Sequence, residues 1–534
     1  MSFVLNSNNQ INFNDSMFNL TEREKRFLEK SWAKRFAEKI FFNIDEEPFS
    51  VLYSDKASRP NTPVNVIIGA LMLKEILGDT DDELVESLMF DVRYQYALHT
   101  TSFEEQPLSD RTLSRFRERC ITYETETGID LIKDCITKLS SEIAEVMGIN
   151  KGNKRMDSMM VASNIKKLSR LELLYTCVAN MVKLMQKKED DISEGLEHYC
   201  DADDQNKVIY HMRSENVDDK IKTVLEDASL LLHKCKGKYD ESSEYQLLIR
   251  VINEQTTEDT EGNLKLKSKD DKTLDSNILQ NPSDPDATFR FKSGKEHRGY
   301  VANLIETVDD NGSIITGYSY EQNIHSDSAF LKESLENIAG TNDYETTLVT
   351  DGAYGGIENI ELAKENHVNL VTTNMQGKKV PEIYADFIFS EDGKKVLKCA
   401  GGQTPITSKF YPQTEQCRIT LNKEKCNRCP YKDQCKPTFN KKKTSLYISW
   451  KSTERAKQQR YMKSEEFKAY AKFRNGVESL VSTIRRRYDV DKIPVRGKLR
   501  TKLFFGFKVA ALNFQKLSIY FDGLDLCTLK TEAC

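Results

Sequence analysis

The dipeptide Asn311-Gly312 constrains this chain more than any other short feature. It lies between two runs of strand-forming residues, Tyr300–Thr307 and Ser313–Tyr318, behind Asp309-Asp310. Asn-Gly tolerates the left-handed backbone of a tight hairpin turn, so the two runs are expected to pair as antiparallel strands. Whatever surrounds them must then pack on a sheet. A helix pattern follows over Ser326–Ile338. Next come the apolar run Thr347–Thr350 ending at Asp351, a helix near Ile357–Glu365 and a short strand over Asn369–Thr373. With a strand around Asp157 ahead of them, the order is strand, hairpin, helix, strand, helix, strand. This predicts the mixed α/β class, with a mixed five-stranded sheet flanked by helices.

The rest of the chain reads as attachments to that core. Residues 1–150 are expected to form a helical N-terminal domain. In it Pro63 opens a helix with apolar residues at Val64, Ile67, Ile68, Leu71, Met72 and Ile76, and Gly78 ends it. Ser109 is an N-cap for a helix bearing Arg111, Arg115, Arg117 and Arg119. Short helices with a basic last member fit a helix-turn-helix-like DNA-binding module; a helical bundle with a solvated arginine face fits equally. The core is assembled from residues 151–165, 276–375 and 453–516. Residues 166–275 are a helical, acidic insertion with a flexible end near Thr256–Asp275, residues 376–452 an insertion with a cysteine cluster, and residues 517–534 a C-terminal tail. A long helix is expected from about Thr453 to Tyr488.

Charge is unevenly placed. Net charge is −5. Glu189–Asp275 holds 23 acidic and 12 basic residues, whereas Lys451–Lys516 holds 18 basic and 6 acidic. A polyanion would be drawn to the second stretch and repelled by the first. No run of about 18 apolar residues suggests a membrane span. The N-terminus lacks the basic start and apolar stretch of a secretory signal, so a cytoplasmic protein without a membrane partner is expected.

Three carboxylates stand out by position. Asp351 ends a buried-type strand, and Gly352, Gly355 and Gly356 let the backbone turn beside it; the plain alternative is an Asp-Gly turn. Asp157 lies in Arg155-Met156-Asp157-Ser158. Glu478 lies on the long helix, where Arg474, Glu478 and Arg485 fall within about 40° of one another beside the apolar stripe Phe473, Val477, Leu480 and Ile484. The plain alternative is a surface Arg–Glu pair. Phosphodiester chemistry needs an activated oxygen nucleophile and charge neutralisation at phosphorus. Two divalent ions held by a few carboxylates can supply both.

The cysteines offer a second metal. Cys426-Asn427-Arg428-Cys429-Pro430 followed by Cys435 gives three thiolates at metal-ligand spacing. Cys399 is the preferred fourth ligand and Cys417 the alternate. Four thiolates suit structural Zn²⁺ in a reducing compartment; reduced thiols without metal are the alternative. The seven histidines form no pair suited to a site.

Taken together, these residues resemble bacterial insertion-sequence transposases of the DDE type, in the RNase H-like superfamily, over about Asp55–Phe514. Asp157 resembles the first catalytic acid, and Asp351 in Thr350-Asp351-Gly352-Ala353-Tyr354 the second. Glu478 resembles the third. Arg474, Glu478 and Arg485 match the last three positions of the family's Tyr-Arg-Glu-Lys signature, with Arg485 replacing Lys and Ala471 standing where the Tyr is expected. Ser283-Asp284-Pro285-Asp286-Ala287 with Gly299-Tyr300 also resembles a family motif, to which no catalytic role is carried. The branch it resembles has a similar C-x2-C-P-x4-C arrangement before the Glu helix.

The resemblance implies that Asp157, Asp351 and Glu478 bind two Mg²⁺ ions, for which Mn²⁺ can substitute, and drive DNA cleavage and strand transfer. It implies double-stranded DNA as partner, as terminal inverted repeats and target. The contacts would be Arg111, Arg115, Arg117 and Arg119, with Arg474, Arg485, Lys498, Arg500 and Lys502 on phosphates. A homodimer on DNA is expected. The alternatives are a metal-dependent nuclease without strand transfer and a domesticated or inactive DNA-binding protein.

Overall fold

Pro63 and Gly78 bracket the first long helix, α1 (Val64–Leu77), in a computed structural model of the protein. The structure describes the chain except residues 7–14, 55, 57–58, 104, 151, 193, 210–216, 259–262, 269, 293, 340–345, 374–378, 441–442 and 533–534, and except the side chains of 339, 357 and 525–532. Gly78 closes α1 at φ +85°, with its N–H on the Lys74 carbonyl at 2.8 Å. The sequence suggested one apolar stripe. Instead, every residue from Val64 to Lys74 except Asn65 is buried, which makes α1 a central helix. Gly69 allows the close packing: a Cβ there would stand 2.7 Å from Leu98 Cδ2.

Two compact units divide the chain. One comprises Met1–Ile149, Ser158–Ser326 and Val481–Cys534, the other Asn150–Asp157 and Asp327–Leu480. In the first, α2 (Asp81–Phe90) begins with a Thr80–Glu83 capping box. The next helix, α3 (Asp110–Thr127), is capped by Ser109, whose side chain accepts from the Thr112 N–H. It is followed by α4 (Leu131–Val146). Asp81 gathers the cations of two helices: it accepts from Arg117 at 2.6 and 2.8 Å and pairs with Lys74 at 2.8 Å. Both cations also lie over the Phe504 ring of the C-terminal helix, at 5.0 and 4.9 Å.

The strand β1 (Asn153–Ala162) runs through both units. In the first unit it leads to α5 (Arg170–Lys187), α6 (Val217–Cys235) and α7 (Ser243–Gln255), which share a core of their own built on Leu174, Val178, Met181, Leu231 and Leu248. The segment expected to be flexible carries a small ladder of Thr256–Glu258 with Leu264–Leu266, whose leucines pack on that core.

Three strands follow: β2 (Thr288–Lys292), β3 (Lys295–Asp309) and β4 (Gly312–Gln322). The expected hairpin is present, but its turn is one residue earlier than Asn-Gly. Asp309 pairs with Gly312, so Asp310-Asn311 form the loop. Only Gly312 takes a positive φ there, +140°. The backbone of Ile315 in β4 is clamped by Asn513, which accepts its N–H at 3.0 Å and donates to its carbonyl at 2.8 Å. Fully buried Asp284 is a second fixed point. It accepts from Tyr300 Oη at 2.6 Å, from the Gly497 N–H at 3.2 Å and from Ser163 Oγ. Asp284 therefore ties four segments together.

The second unit supplies α8 (Asp327–Ala339), β5 (Thr346–Thr350), α9 (Ile357–Glu365) and β6 (Val368–Thr372). The mixed sheet runs β2-β3-β1-β5-β6, with β4 on β3. All five expected strands are present and β2 is a sixth. A separate antiparallel sheet holds β7 (Thr407–Tyr411), β8 (Gln416–Leu421), β9 (Thr438–Phe439) and β10 (Thr444–Ile448). Then come α10 (Trp450–Tyr461) and α11 (Glu465–Arg487), where one long helix was expected, and α12 (Lys498–Glu532). The break falls at Met462–Ser464. Among the described residues, no helix is long and apolar enough to cross a membrane.

Burial alone would raise the Asp81 carboxyl, but hydrogen bonds from Arg117 and Lys74 outweigh it and hold it well below the usual carboxylate range. Asp81→Asn is expected to destabilise the first unit by about 2 kcal/mol, less than a fully buried pair would cost because Asp81 keeps some exposure. A depressed folded-state pKa stabilises above the unfolded value. The gap between wild type and variant in thermal denaturation should therefore be full above pH ~4 and narrow on acidification. A gap that widens as pH falls contradicts this.

Candidate active site

The strand β5 delivers Asp351. Its residues Thr346, Leu348, Val349 and Thr350 are buried, so the strand is held on both faces up to the point where Asp351 leaves it. It pairs in parallel with β1 in the register Asn153↔Thr347, Lys154↔Leu348, Arg155↔Val349. Asp157 lies two residues beyond the last of these pairs on β1, and Asp351 two residues beyond it where the chain leaves β5. Side chains in register on neighbouring parallel strands leave by the same face, with the strands about 4.8 Å apart. Val349 marks that face, since it packs with Val371 and with Phe467 of α11.

The turn after Asp351 is fixed rather than loose. Asp351 Oδ1 accepts from the Ala353 N–H at 2.8 Å. Tyr354 is fully buried, and its carbonyl accepts from Asn359 Nδ2 at 2.6 Å. Gly355 lets the chain pass Thr372, whose Cγ2 would be 2.9 Å from a Cβ at that position.

The helix α11 brings Glu478. Val477 and Leu480 are buried, and they seat the helix. Arg474 lies one turn before Glu478, so the two share a side of the helix. The Arg474 side chain is only 14 % exposed. Its Nη2 donates to Asp157 Oδ2 at 3.0 Å, and its Nη1 lies 3.5 Å from Glu478 Oε1. One guanidinium thus bridges two of the three acids. Glu478 itself is 69 % exposed. Arg155 is a contributor that motif reading missed: it donates to the Phe473 carbonyl of α11 at 2.9 Å. The available signal was Gly476, a glycine inside a helix with no turn to make.

The basic candidates separate into two groups. Arg111 and Arg115 are exposed on α3. Arg117 is bound to Asp81, and Arg119 lies over the Tyr53 ring at 5.0 Å. Lys502 is only 15 % exposed, between Glu124 at 2.6 Å and Asp130 at 2.7 Å. Lys498 pairs with Glu321, and Arg500 with Glu118 at 3.2 Å. Arg485 donates to the Met160 carbonyl at 2.6 Å and lies 3.0 Å from Asp491. Charge density along the sequence could not reveal these internal partners.

The cysteines also sort themselves. Cys399 Sγ accepts from the Gln403 N–H at 3.3 Å, and Gln403 Nε2 reaches Cys426 Sγ at 3.8 Å. A Cβ on Gly401 would stand 3.0 Å from Cys429 Sγ and 3.9 Å from Cys399 Sγ. Burial, reinforced by Cys399, Cys426 and Cys429, pushes the Cys435 thiol up to about 12. These four therefore surround one turn. Cys417 is engaged elsewhere, with its Sγ on the Lys394 carbonyl at 3.2 Å. Among the described residues, no three His, Cys, Asp or Glu side chains already stand as a metal-ready group.

Residues 398–518 match a family model described as Transposase DDE domain, and residues 23–119 match one described as Transposase domain (DUF772). No curated protein and no solved structure matches the chain. The first stretch contains Glu478 and the four converging cysteines, and the second contains Arg111 and Arg115; Asp157 and Asp351 lie outside both. Both matching models describe transposase domains.

Proposed function

We propose that this protein is an insertion-sequence transposase that cuts and joins DNA at Asp157, Asp351 and Glu478, on an RNase H-like core. One observation carries the reading. Two acids remote in sequence, Asp157 and Glu478, share Arg474, and the parallel β1–β5 pairing ends two residues short of both Asp157 and Asp351, which supports a common site. The alternatives of a nuclease without strand transfer and an inactive DNA-binding derivative have no observation of their own.

The donors suit Mg²⁺, a hard ion that prefers carboxylate oxygen. Asp157 and Glu478 already hold a cation between them, the Arg474 guanidinium, so the position has the charge a metal requires. Two divalent ions bound there would activate a water or a 3′-hydroxyl and neutralise charge at phosphorus. Asp157 and Asp351 are the rigid holders. Glu478 is the adjustable one and can turn away from Arg474. Arg474, released from its acids, is placed to hold a phosphate through its fork of donors. Arg111 and Arg115 are the exposed cations of α3 offered to the terminal inverted repeats. Cys399, Cys426, Cys429 and Cys435 are the set for structural Zn²⁺, with Cys417 left out. A homodimer would bring two DNA ends together.

Asp351→Asn should reduce Mg²⁺-dependent cleavage of end-bearing DNA to the no-enzyme level while DNA binding persists. Undiminished cleavage would discard the mechanism. The Arg111→Ala/Arg115→Ala pair should weaken binding and lower the salt dependence, log affinity against log salt, by roughly 2 in slope; an unchanged slope would remove α3 from the interface. Added zinc should protect Cys429 from iodoacetamide and leave Cys417 unaffected. Equal alkylation of Cys429 with and without zinc would rule the zinc site out.

A further inference from the structure

We propose that Arg155 is a positioning residue that fixes the place of Glu478 by seating its guanidinium on the bare helix backbone at Gly476. The proposal rests on the reading of Asp157, Asp351 and Glu478 as metal-holding acids.

Arg155 stands two residues ahead of Asp157 on β1 and leaves by the same face. It is only 9 % exposed. A buried guanidinium is costly unless its donors are used. Its Nη1 donates to the Phe473 carbonyl at 2.9 Å, and its head lies 5.5 Å from the centre of the Phe473 ring.

Gly476 is what makes room. A Cβ there would stand 1.8 Å from Arg155 Nη1, 2.6 Å from Cζ and 2.8 Å from Nη2. All three atoms belong to the end of the Arg155 side chain, so a Cβ there would displace that head rather than the helix. A glycine inside a helix costs about 1 kcal/mol relative to alanine. The seat for Arg155 offsets that cost. Glu478 follows two residues later, about 3 Å along the axis.

Two of the contacts between β1 and α11 lie beside Glu478. The first, Asp157 with Arg474, is made by a carboxylate that would hold the metal, so it would weaken on loading. The second, Arg155 on the Phe473 carbonyl beside Gly476, is made to helix backbone, which no metal would claim. Arg155 would therefore hold the Glu478 turn of α11 in place when Asp157 turned from Arg474 to a metal.

The test compares Mn²⁺ affinity, read by electron paramagnetic resonance of free Mn²⁺, in full-length wild type, Arg155→Ala, Gly476→Ala and the double variant. Thermal transitions check the fold of each. Arg155→Met, which fills the space without donors, replaces Arg155→Ala if that variant does not fold. Each single variant should bind Mn²⁺ about tenfold more weakly or worse. The double should match Arg155→Ala within about twofold, because removing the head removes the collision at position 476. Wild-type affinity in the single variants, or independent losses that multiply in the double, would overturn the proposal alone. A wild type that binds no Mn²⁺ would overturn it together with the metal reading it rests on.

Discussion

Parallel pairing of β1 with β5 is the constraint on which the second unit depends. Three register pairs, Asn153 to Arg155 against Thr347 to Val349, decide which side chains share a face. A slip of one residue would send Asp157 to the opposite side, because strand side chains alternate. The register is secured by burial. Leu348 and Val349 are almost wholly enclosed, as is Met156 on the neighbouring strand. The acids inherit their position from apolar residues that do no chemistry.

Much of this was legible from local pattern. The five core strands, the helix from Pro63 to Gly78 and the Ser109 cap are all set by residues close in sequence. The strand β2 was not, since Thr288–Lys292 is short and becomes a strand only by pairing with β3. The hairpin turn moved by one residue because Gly312 alone takes the unusual backbone, as first residue of the returning strand. The long helix expected from Thr453 divides into α10 and α11, and no glycine or proline marks the division.

Side-chain partners were the illegible part. The sequence preferred Cys399 as fourth ligand with Cys417 as alternate, but it could not show that Cys417 is engaged with the Lys394 carbonyl. Arg117 and Lys502 read as DNA contacts, yet each is spent on internal carboxylates. The basic excess over Lys451–Lys516 overstates the field available to DNA for the same reason. Lys498, Arg500, Lys502, Lys508 and Lys516 all carry internal acidic partners. Arg474 shows the same economy at the site, where it is held by the acids that a metal would claim.

The most direct measurement replaces Mg²⁺ with Fe²⁺ and maps where hydroxyl radicals generated at the bound ion cut the polypeptide. If the acids surround one cation site, cuts should fall close to Asp157, Asp351 and Glu478 in the same molecule and disappear when excess Mg²⁺ competes. Cuts confined to one of these positions, or indifferent to Mg²⁺, would show that the three carboxylates do not hold a common site.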